Sequence, residues 1–528
     1  MAKTKKEKQQ KPLEQTIWDA CSKLRSNMSG LSYMYFVMGL IFLKFANLKF
    51  EQRYNELMNS EDAPFVAEES FYTKENVFFL TKKSRWENIK NNAKEPSIGI
   101  IIDKALEDIE KHNVELKGAL PTNTYAKTTL PPEKFASLID EIDKIKIDAE
   151  HPMNDLIGKV YQYFLNKFAI KTADEKGEFY TPDNIVDLIT TLIEPYKGKV
   201  YDPCCGSGGM FVQSYKFVES HKGNIKNISV YGQESNPDTW KLAKMNLAIR
   251  GINADLGKSE ADSFLNDQHK SLKADYIIAN PPFNLKNWRT EQQLLDDNRW
   301  QGYGLPPVSN ANYAWILHMV SKLKDTGVAG FLLANGALGD SDTKEIRKNL
   351  IKNNKVEAII ILPREMFYYT DISVTLWIID NANKKEREVV RGGEKIKIRN
   401  RQNEILFIDL RTWGHKTKEG YTELSLEDMQ KVKETYNNWQ SLQKQKLYKD
   451  VPEYCKSVTN DVIGNVENDW SLVPSKYIEF IDHDLNINYE EEMKRIQQEM
   501  QEVLKQEKNS QKMLEDAFEG IGYGIKKD

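Results

Sequence analysis

From about residue 175 onward, short apolar runs alternate with amphipathic stretches, and this alternation restricts the fold more than any other feature of the chain. The runs fall at 199–201, 229–233, 276–279, 329–334, 357–362, 374–379 and 405–410, with helix-like stretches at 238–249, 311–323 and 344–351 between them. Strands that alternate with helices predict an α/β fold: a doubly wound, mostly parallel, seven-stranded sheet with helices on both faces. Only the charged stretch 383–401 separates the last two runs, so these are expected as an antiparallel pair at the sheet edge.

The chain has 528 residues, too many for one ordinary core. Residues 1–150 read as a separate helical domain. Leu13, Ile17, Ala20, Cys21 and Leu24 share one face at helical spacing. The apolar stretch 33–43 stops at Lys44, is too short to span a bilayer, and reads as a buried helix. Loops are expected at 61–64 and 120–123. Residues 151–415 form the expected catalytic domain, and 416–484 a polar, partly helical connecting segment. In 485–528, Met493, Ile496, Met500, Val503, Leu514 and Ala517 follow a heptad register, the pattern of a seam for a partner helix or of a helix folded back on its own body. No membrane segment is expected. The four cysteines, Cys21, Cys204, Cys205 and Cys455, suit neither a zinc site nor a disulfide framework, so free thiols in a reducing cytoplasm and no metal are expected. A net charge of −4 does not suit a chain that grips nucleic acid unaided, whereas a more basic partner subunit would resolve this.

The segment 200–209 follows a strand and opens a helix. Gly206, Gly208 and Gly209 allow a ligand to approach the backbone, with Ser207 between them. The segment is neither a P-loop nor a G-x-G-x-x-G turn. Asp202-Pro203 ahead of the glycines is more specific, because an acid at a strand's carboxyl end can receive the cationic amine of an amino-acid moiety such as methionine. At the end of the next strand, Glu234 can accept both ribose hydroxyls of an adenosine, unless it is a solvated strand end. Within 261–264, Asp262 can accept from an adenine amine, with Ser263 beside it and Phe264 near the ring; a plain turn residue is the competing reading of Asp262. Upstream, Thr181 is a candidate N-cap, with Pro182 at the first helical position. A helix N-terminus favours a carboxylate, so Tyr180 and Thr181 are candidates to hold the methionine end. Together these residues point to S-adenosylmethionine.

The apolar run that ends at residue 279 leads directly into Asn280-Pro281-Pro282-Phe283. Two successive prolines fix φ twice and remove two donors, which leaves a rigid loop with carbonyls free to accept. An exocyclic base amine is a poor nucleophile, because its lone pair is delocalised into the ring. Acceptors on both of its N–H bonds release that pair, and the Asn280 side chain and the Pro281 carbonyl can be those acceptors. The methyl group on a sulfonium is already activated, so positioning and preorganised electrostatics suffice. The base must leave its stack to reach such a pocket, where Phe283 can stack on it. Pro-Cys is also the nucleophile motif of cytosine C5 methylation. That nucleophile belongs on the later loop, where this chain has Asn280-Pro281, so Cys204 and Cys205 read as packing residues.

These motifs resemble those of the DNA amino-methyltransferases, and more closely the methylase (modification) subunit of type I restriction-modification systems. Residues 177–182, 202–209, 232–234 and 280–283 match in order and spacing, and 13–19, 39–44, 303–307 and 310–315 are similar as well. The resemblance implies a Rossmann-like class I S-adenosylmethionine methyltransferase fold that modifies the N6 amine of adenine in DNA. It also implies two such subunits joined to one specificity subunit that reads the DNA sequence, with a restriction motor (translocase) subunit able to join them. It further implies that the helical domain helps to enclose DNA or sense existing methylation, and that Phe367 lies near the flipped base, where it would stack on the second face or be a core aromatic. Two positions depart from the pattern: Asn312, where the family often has Asp, and Asp371, where it often has Gly. RNA guanine-N2 and protein glutamine methyltransferases use similar loops but do not suit the helical domain and heptad tail. A non-catalytic DNA-clamping scaffold would not need Asp202, Glu234 and Asn280 intact.

Overall fold

The computed structural model describes residues 12–24, 30–128, 130–146, 153–171, 180–221, 223–367, 371–391, 394–481 and 489–520. Each of the seven apolar runs is a strand. In chain order the strands are β1 (Gly198–Asp202), β2 (Ile228–Gly232), β3 (Ala254–Asp255), β4 (Ala274–Ala279), β5 (Leu323–Ala334), β6 (Val356–Ile361), β7 (Val374–Asp380), β8 (Arg387–Arg391), β9 (Glu394–Ile398), β10 (Glu404–Asp409), β11 (His415–Lys416), β12 (Thr422–Glu423) and β13 (Cys455–Thr459). Nine of them form one sheet in the order β13-β10-β6-β7-β5-β4-β1-β2-β3, two strands more than expected. Helices Gly209–Ser220 and Pro237–Ile249 connect β1 to β2 and β2 to β3, all parallel. The next strand, β4, pairs on the other side of β1. Strand order therefore reverses between β1 and β4, and the loops at their carboxyl ends face each other across the switch point where open α/β sheets bind ligands.

The expected antiparallel edge pair is not formed. β7 lies between β5 and β6 and is antiparallel to both, whereas β10 pairs in parallel with β6. All seven residues of β7 are buried. A strand apolar on both faces belongs in the interior of a sheet, and an antiparallel return from β6 needs no crossover helix. The charged stretch that follows folds into the β8–β9 hairpin and supplies buried cations. Arg401 Nε donates to Glu357 Oε1 at 2.9 Å, and its Nη2 donates to Asp380 Oδ2 at 2.9 Å. Arg387 clamps the same Asp380 with two bonds, at 2.9 and 3.0 Å.

The expected connector at 416–484 is instead largely part of the sheet layer. β13 closes the far edge antiparallel to β10. Helix Leu426–Gln440, started by a Ser425–Asp428 capping box, buries Met429, Val432, Tyr436 and Trp439. Its polarity is one-sided, and the apolar stripe is only four residues long. Residues up to 478 form one compact unit with the rest of the fold, so a boundary at 415 cuts through the sheet.

In the helical region, the expected short buried helix is the 29-residue helix Gly30–Met58. Lys44 ends the apolar run in sequence without ending the helix, because its ammonium donates to Asp143 at 2.8 Å. Residues 32–58 are long and apolar enough to cross a bilayer, yet 89% of their most apolar window is buried inside the protein. That surface packs on helices Trp86–Asn91, Pro132–Asp143 and Met153–Lys171, and on Pro237–Ile249 of the sheet region.

Residues 479–528 form a second unit. It contains helix Tyr489–Gly520, which has no buried residue. The heptad positions Met493, Ile496, Met500, Val503 and Leu514 are all exposed.

Candidate active site

β1 delivers Asp202 to the switch point almost fully buried, with Oδ1 accepting the Cys204 N–H at 3.0 Å. The chain then turns through Gly206 (φ +55°) and Gly208 (φ +82°). A Cβ at Gly208 would also press on the Leu247 side chain at 3.1 Å, so both backbone and packing require glycine there. Glu234 leans back over this loop from the end of β2. Its Oε2 accepts the Gly206 N–H at 3.0 Å and its Oε1 the Asn236 N–H at 2.8 Å. Burial pushes the Glu234 carboxyl above its ordinary value despite those N–H groups. Ser263 ties the turn after β3 to the glycine loop by donating to the Pro203 carbonyl at 2.5 Å. Burial also raises the Cys204 and Cys205 thiols well above their ordinary value, so neither is a ready nucleophile.

From the other side, β4 presents Asn280. Its Nδ2 donates to Thr181 Oγ1 at 3.0 Å. Its Oδ1 is shielded from solvent and has no hydrogen-bond partner among the described residues. A buried acceptor left unmet costs about 1–3 kcal/mol, so an acceptor held in this way is more readily explained by a ligand than by folding. Thr181 is not the N-cap. Helix Asp183–Ile193 begins one residue later than expected, with Pro182 in the cap position, which frees the Thr181 hydroxyl to fix the Asn280 amide. Among the described residues, no backbone N–H donates to the Pro281 carbonyl.

Asn284, directly after Phe283, takes φ +53° and turns the loop. Asn312 Oδ1 accepts the Asn284 N–H at 3.0 Å, and its Nδ2 donates to Asn284 Oδ1 at 2.9 Å. An aspartate could only accept here, so the amide matches the asparagine it faces. Asp371 pairs with Arg364 at 3.2 Å.

These loops enclose a cavity of about 340 Å³. Of the residues singled out from sequence, Pro203, Gly206, Glu234, Asp262, Ser263, Asn280, Pro281, Pro282 and Phe283 line it. Thr181, Asp202, Ser207 and Gly209 line a small adjoining recess that also touches Asn280. Asp262 both lines the cavity and caps a turn, accepting the N–H groups of Phe264 and Leu265 at 2.7 and 2.9 Å. Four residues do not reach the cavity. Tyr180 is buried and donates to Asp183 Oδ1 at 2.8 Å, bracing the helix start. Gly208 serves the turn. Phe264 sits behind the wall, 4.2 Å from the Trp315 ring centroid and 4.7 Å from that of Trp288. Phe367 is a core aromatic, edge-on to Phe283 at 6.0 Å and 86°, which leaves no parallel slot for a base between the two rings. Residues 177–179, part of the matching upstream motif, lie outside the described residues, as do 368–370.

Sequence reasoning missed Tyr35, Ser235, Asn236, Thr239, Leu285 and Trp315, all of which line the cavity. Trp315 lines the cavity where Phe264 does not, and its buried indole N–H has no partner among the described residues. Its position three residues into helix Asn312–Lys322 could have signalled this, but Tyr35 is indistinguishable in sequence from its core neighbours.

The N-6 DNA methylase family profile matches residues 152–484, and the HsdM N-terminal domain profile matches residues 13–142. The chain belongs to the type I restriction-modification methylase subunits. The methylase subunit of the HindI enzyme of Haemophilus influenzae is 38% identical over 436 residues, which span 80% of this chain and 92% of that one. The MjaIX methylase subunit of Methanocaldococcus jannaschii is 31% identical over 97% of this chain and 91% of its own. In fold, the chain is similar to the crystal structure of a type I methyltransferase subunit from Streptococcus thermophilus, with a TM-score of 0.71 at 22% identity, covering 88% of this chain and 99% of the other. As a member of this family, the methylase subunit is an S-adenosylmethionine-dependent DNA methyltransferase.

The Thr181–Asn280 bond gives the methylase subunit a testable weak point. Thr181→Val should lower kcat by about tenfold, the worth of one hydrogen bond, by letting the amide rotate. Cofactor affinity should fall less than kcat. A loss of affinity with kcat unchanged at saturating cofactor would mean that Thr181 serves only the cofactor.

Proposed function

We propose that this cavity transfers a methyl group from S-adenosylmethionine to the N6 amine of an adenine flipped out of DNA, and the observation that carries the proposal is the buried Asn280 Oδ1 at its wall, which has no hydrogen-bond partner among the described residues. When bound, the cofactor supplies an electrophilic methyl group on a sulfonium. Asp202 and the glycine loop would hold the amino-acid end in the recess, and Glu234 would hold the ribose. Asn280 Oδ1 and the Pro281 carbonyl would accept the two N–H bonds of the target amine, freeing its lone pair in a site where Asn280 Oδ1 is already shielded from water. Phe283 would stack on the extruded base, worth roughly 1–3 kcal/mol.

DNA sequence recognition would come from a separate specificity subunit, with two copies of this chain per specificity subunit and a restriction subunit able to join. The exposed seam of helix Tyr489–Gly520 suits that assembly. Deleting residues 490–528 should abolish co-purification with the specificity subunit while leaving cofactor affinity within about twofold, since the residues that line the cavity all come from the first unit. A normal complex without these residues would remove the seam from assembly.

Burial, countered in part by Cys204 and reinforced by the Glu234 charge, raises the Asp202 carboxyl to about 7. It is therefore neutral below that value, whereas a cationic amine selects the ionised form. Cofactor affinity should fall as pH drops through about 7, approaching tenfold per unit, and level off above it. For the unliganded fold the sign is opposite: a raised carboxyl favours folding below its unfolded value near 4 and loses that contribution as pH rises through 7. Calorimetry between pH 5.5 and 8 checks this, and an affinity that is flat or improves toward acid would contradict the Asp202 role.

The reading as a whole is tested by incubating the subunit, with its specificity partner, with tritiated S-adenosylmethionine and duplex DNA, structured RNA or protein. Label should enter DNA alone. Label in RNA or protein would favour the other amine targets, and label in none of the three would favour a scaffold.

A further inference from the structure

The cavity is not closed by the sheet domain alone. On the side of Glu234, Asn236 and Thr239, its wall is Tyr35. Tyr35 comes from helix Gly30–Met58, in the region matched as the N-terminal helical domain. The Tyr35 hydroxyl lies 3.3 Å from Thr239 Oγ1, in the first turn of helix Pro237–Ile249. At the other end of that helix, Lys49 Nζ donates to the Ile249 carbonyl at 2.6 Å. Residues 35 and 49 are 14 positions apart, close to four turns at about 3.6 residues each, so both contacts lie on one face of the long helix. Between them, Leu242 and Met245 are buried in the core of the helical domain, as is the Ile249 side chain. The position of Tyr35 is thus set by a packed interface between the two regions.

We propose that Tyr35 is a cofactor-binding residue lent by the helical domain, touching the nucleoside half of S-adenosylmethionine, so that cofactor binding and the seating of the helical domain on the sheet support each other. This rests on the cofactor reading given above. Glu234 marks the ribose side of the cavity, and Tyr35 closes that same side. Burial pushes the Tyr35 phenol up to about 12, so the hydroxyl keeps its proton and can donate at any working pH. Because linkage is reciprocal, whatever loosens this interface weakens the cofactor, and the cofactor tightens the interface.

The test is calorimetry of the full chain with S-adenosylmethionine and with 5′-deoxy-5′-methylthioadenosine, which carries the nucleoside without the amino acid. Tyr35→Phe keeps the ring and should weaken both ligands about three- to tenfold, the loss of one hydrogen bond. Tyr35→Ala also removes the wall and should weaken both by more. Lys49→Met lies away from the cavity and should weaken both ligands only through the interface. Saturating cofactor should slow amide exchange in helix Gly30–Met58 of the wild type. Tyr35→Phe and Tyr35→Ala both binding within twofold of wild type would overturn the inference and leave the cofactor reading intact. A wild-type chain with no affinity for S-adenosylmethionine would overturn that reading, and this inference with it.

Discussion

Asn280→Ala is expected to lose methyl transfer by about a thousandfold while binding S-adenosylmethionine about as tightly as the wild type. Removing one preorganised group aimed at a transition state costs roughly 10²–10³ in kcat elsewhere, and a buried acceptor freed of water belongs at the upper end. The Oδ1 makes no hydrogen bond among the described residues, whereas Nδ2 donates to Thr181. Truncation therefore removes the contact to the target amine together with the Thr181 bond that orients it. The expected split, with kcat lost and affinity kept, marks an interaction realised at the reacting nitrogen. Single-turnover methylation alongside cofactor calorimetry reads both quantities. A variant retaining a tenth of wild-type turnover would take Asn280 out of this role.

Arg401→Met should destabilise the fold by about 3–5 kcal/mol, the loss expected when one partner of a buried ion pair is removed. Arg401 and Glu357 have no exposed side-chain surface, and that of Asp380 is only 3% exposed. The substitution leaves the two carboxylates facing each other, with Arg387 still on Asp380 and only the Gln440 amide, at 2.6 Å, on Glu357 beside the more distant Lys384 charge. Adding Glu357→Gln removes the stranded charge and should recover part of the loss. Urea unfolding gives the comparison. A loss below about 1 kcal/mol would show that water or a local shift relieves the charges, and that this cluster does not lock β6, β7 and β10 together.

That cluster also explains where sequence reading succeeds and where it stops. Every strand of the sheet centre is legible, because each is an apolar run with a turn or helix signal beside it. The position of β7 is not legible, because pairing depends on what lies on both sides of a buried strand. The stretch that decides it, 383–401, reads only as a charged stretch, yet Arg387, Lys384, Arg399 and Arg401 each find an acceptor in the folded chain. β13 is missed for a similar reason: its sequence Cys-Lys-Ser-Val-Thr is half polar because an edge strand has one open side. In the site, Asp202, Glu234 and Asn280 are legible because their neighbours fix their position at strand ends. Phe264 and Trp315 are not, since sequence says that an aromatic residue is near but not which ring is in front. Tyr35 is invisible for a stronger reason, because it reaches the cavity from another region of the chain.

The account is tested most directly by expressing the wild-type subunit and Asn280→Ala, each with the specificity subunit, in cells lacking adenine methylation, and mapping modified bases by sequencing. The account predicts N6-methyladenine at one sequence motif in the wild-type cells and none in the variant. Methylation on cytosine, or an undiminished adenine signal from the variant, would contradict it.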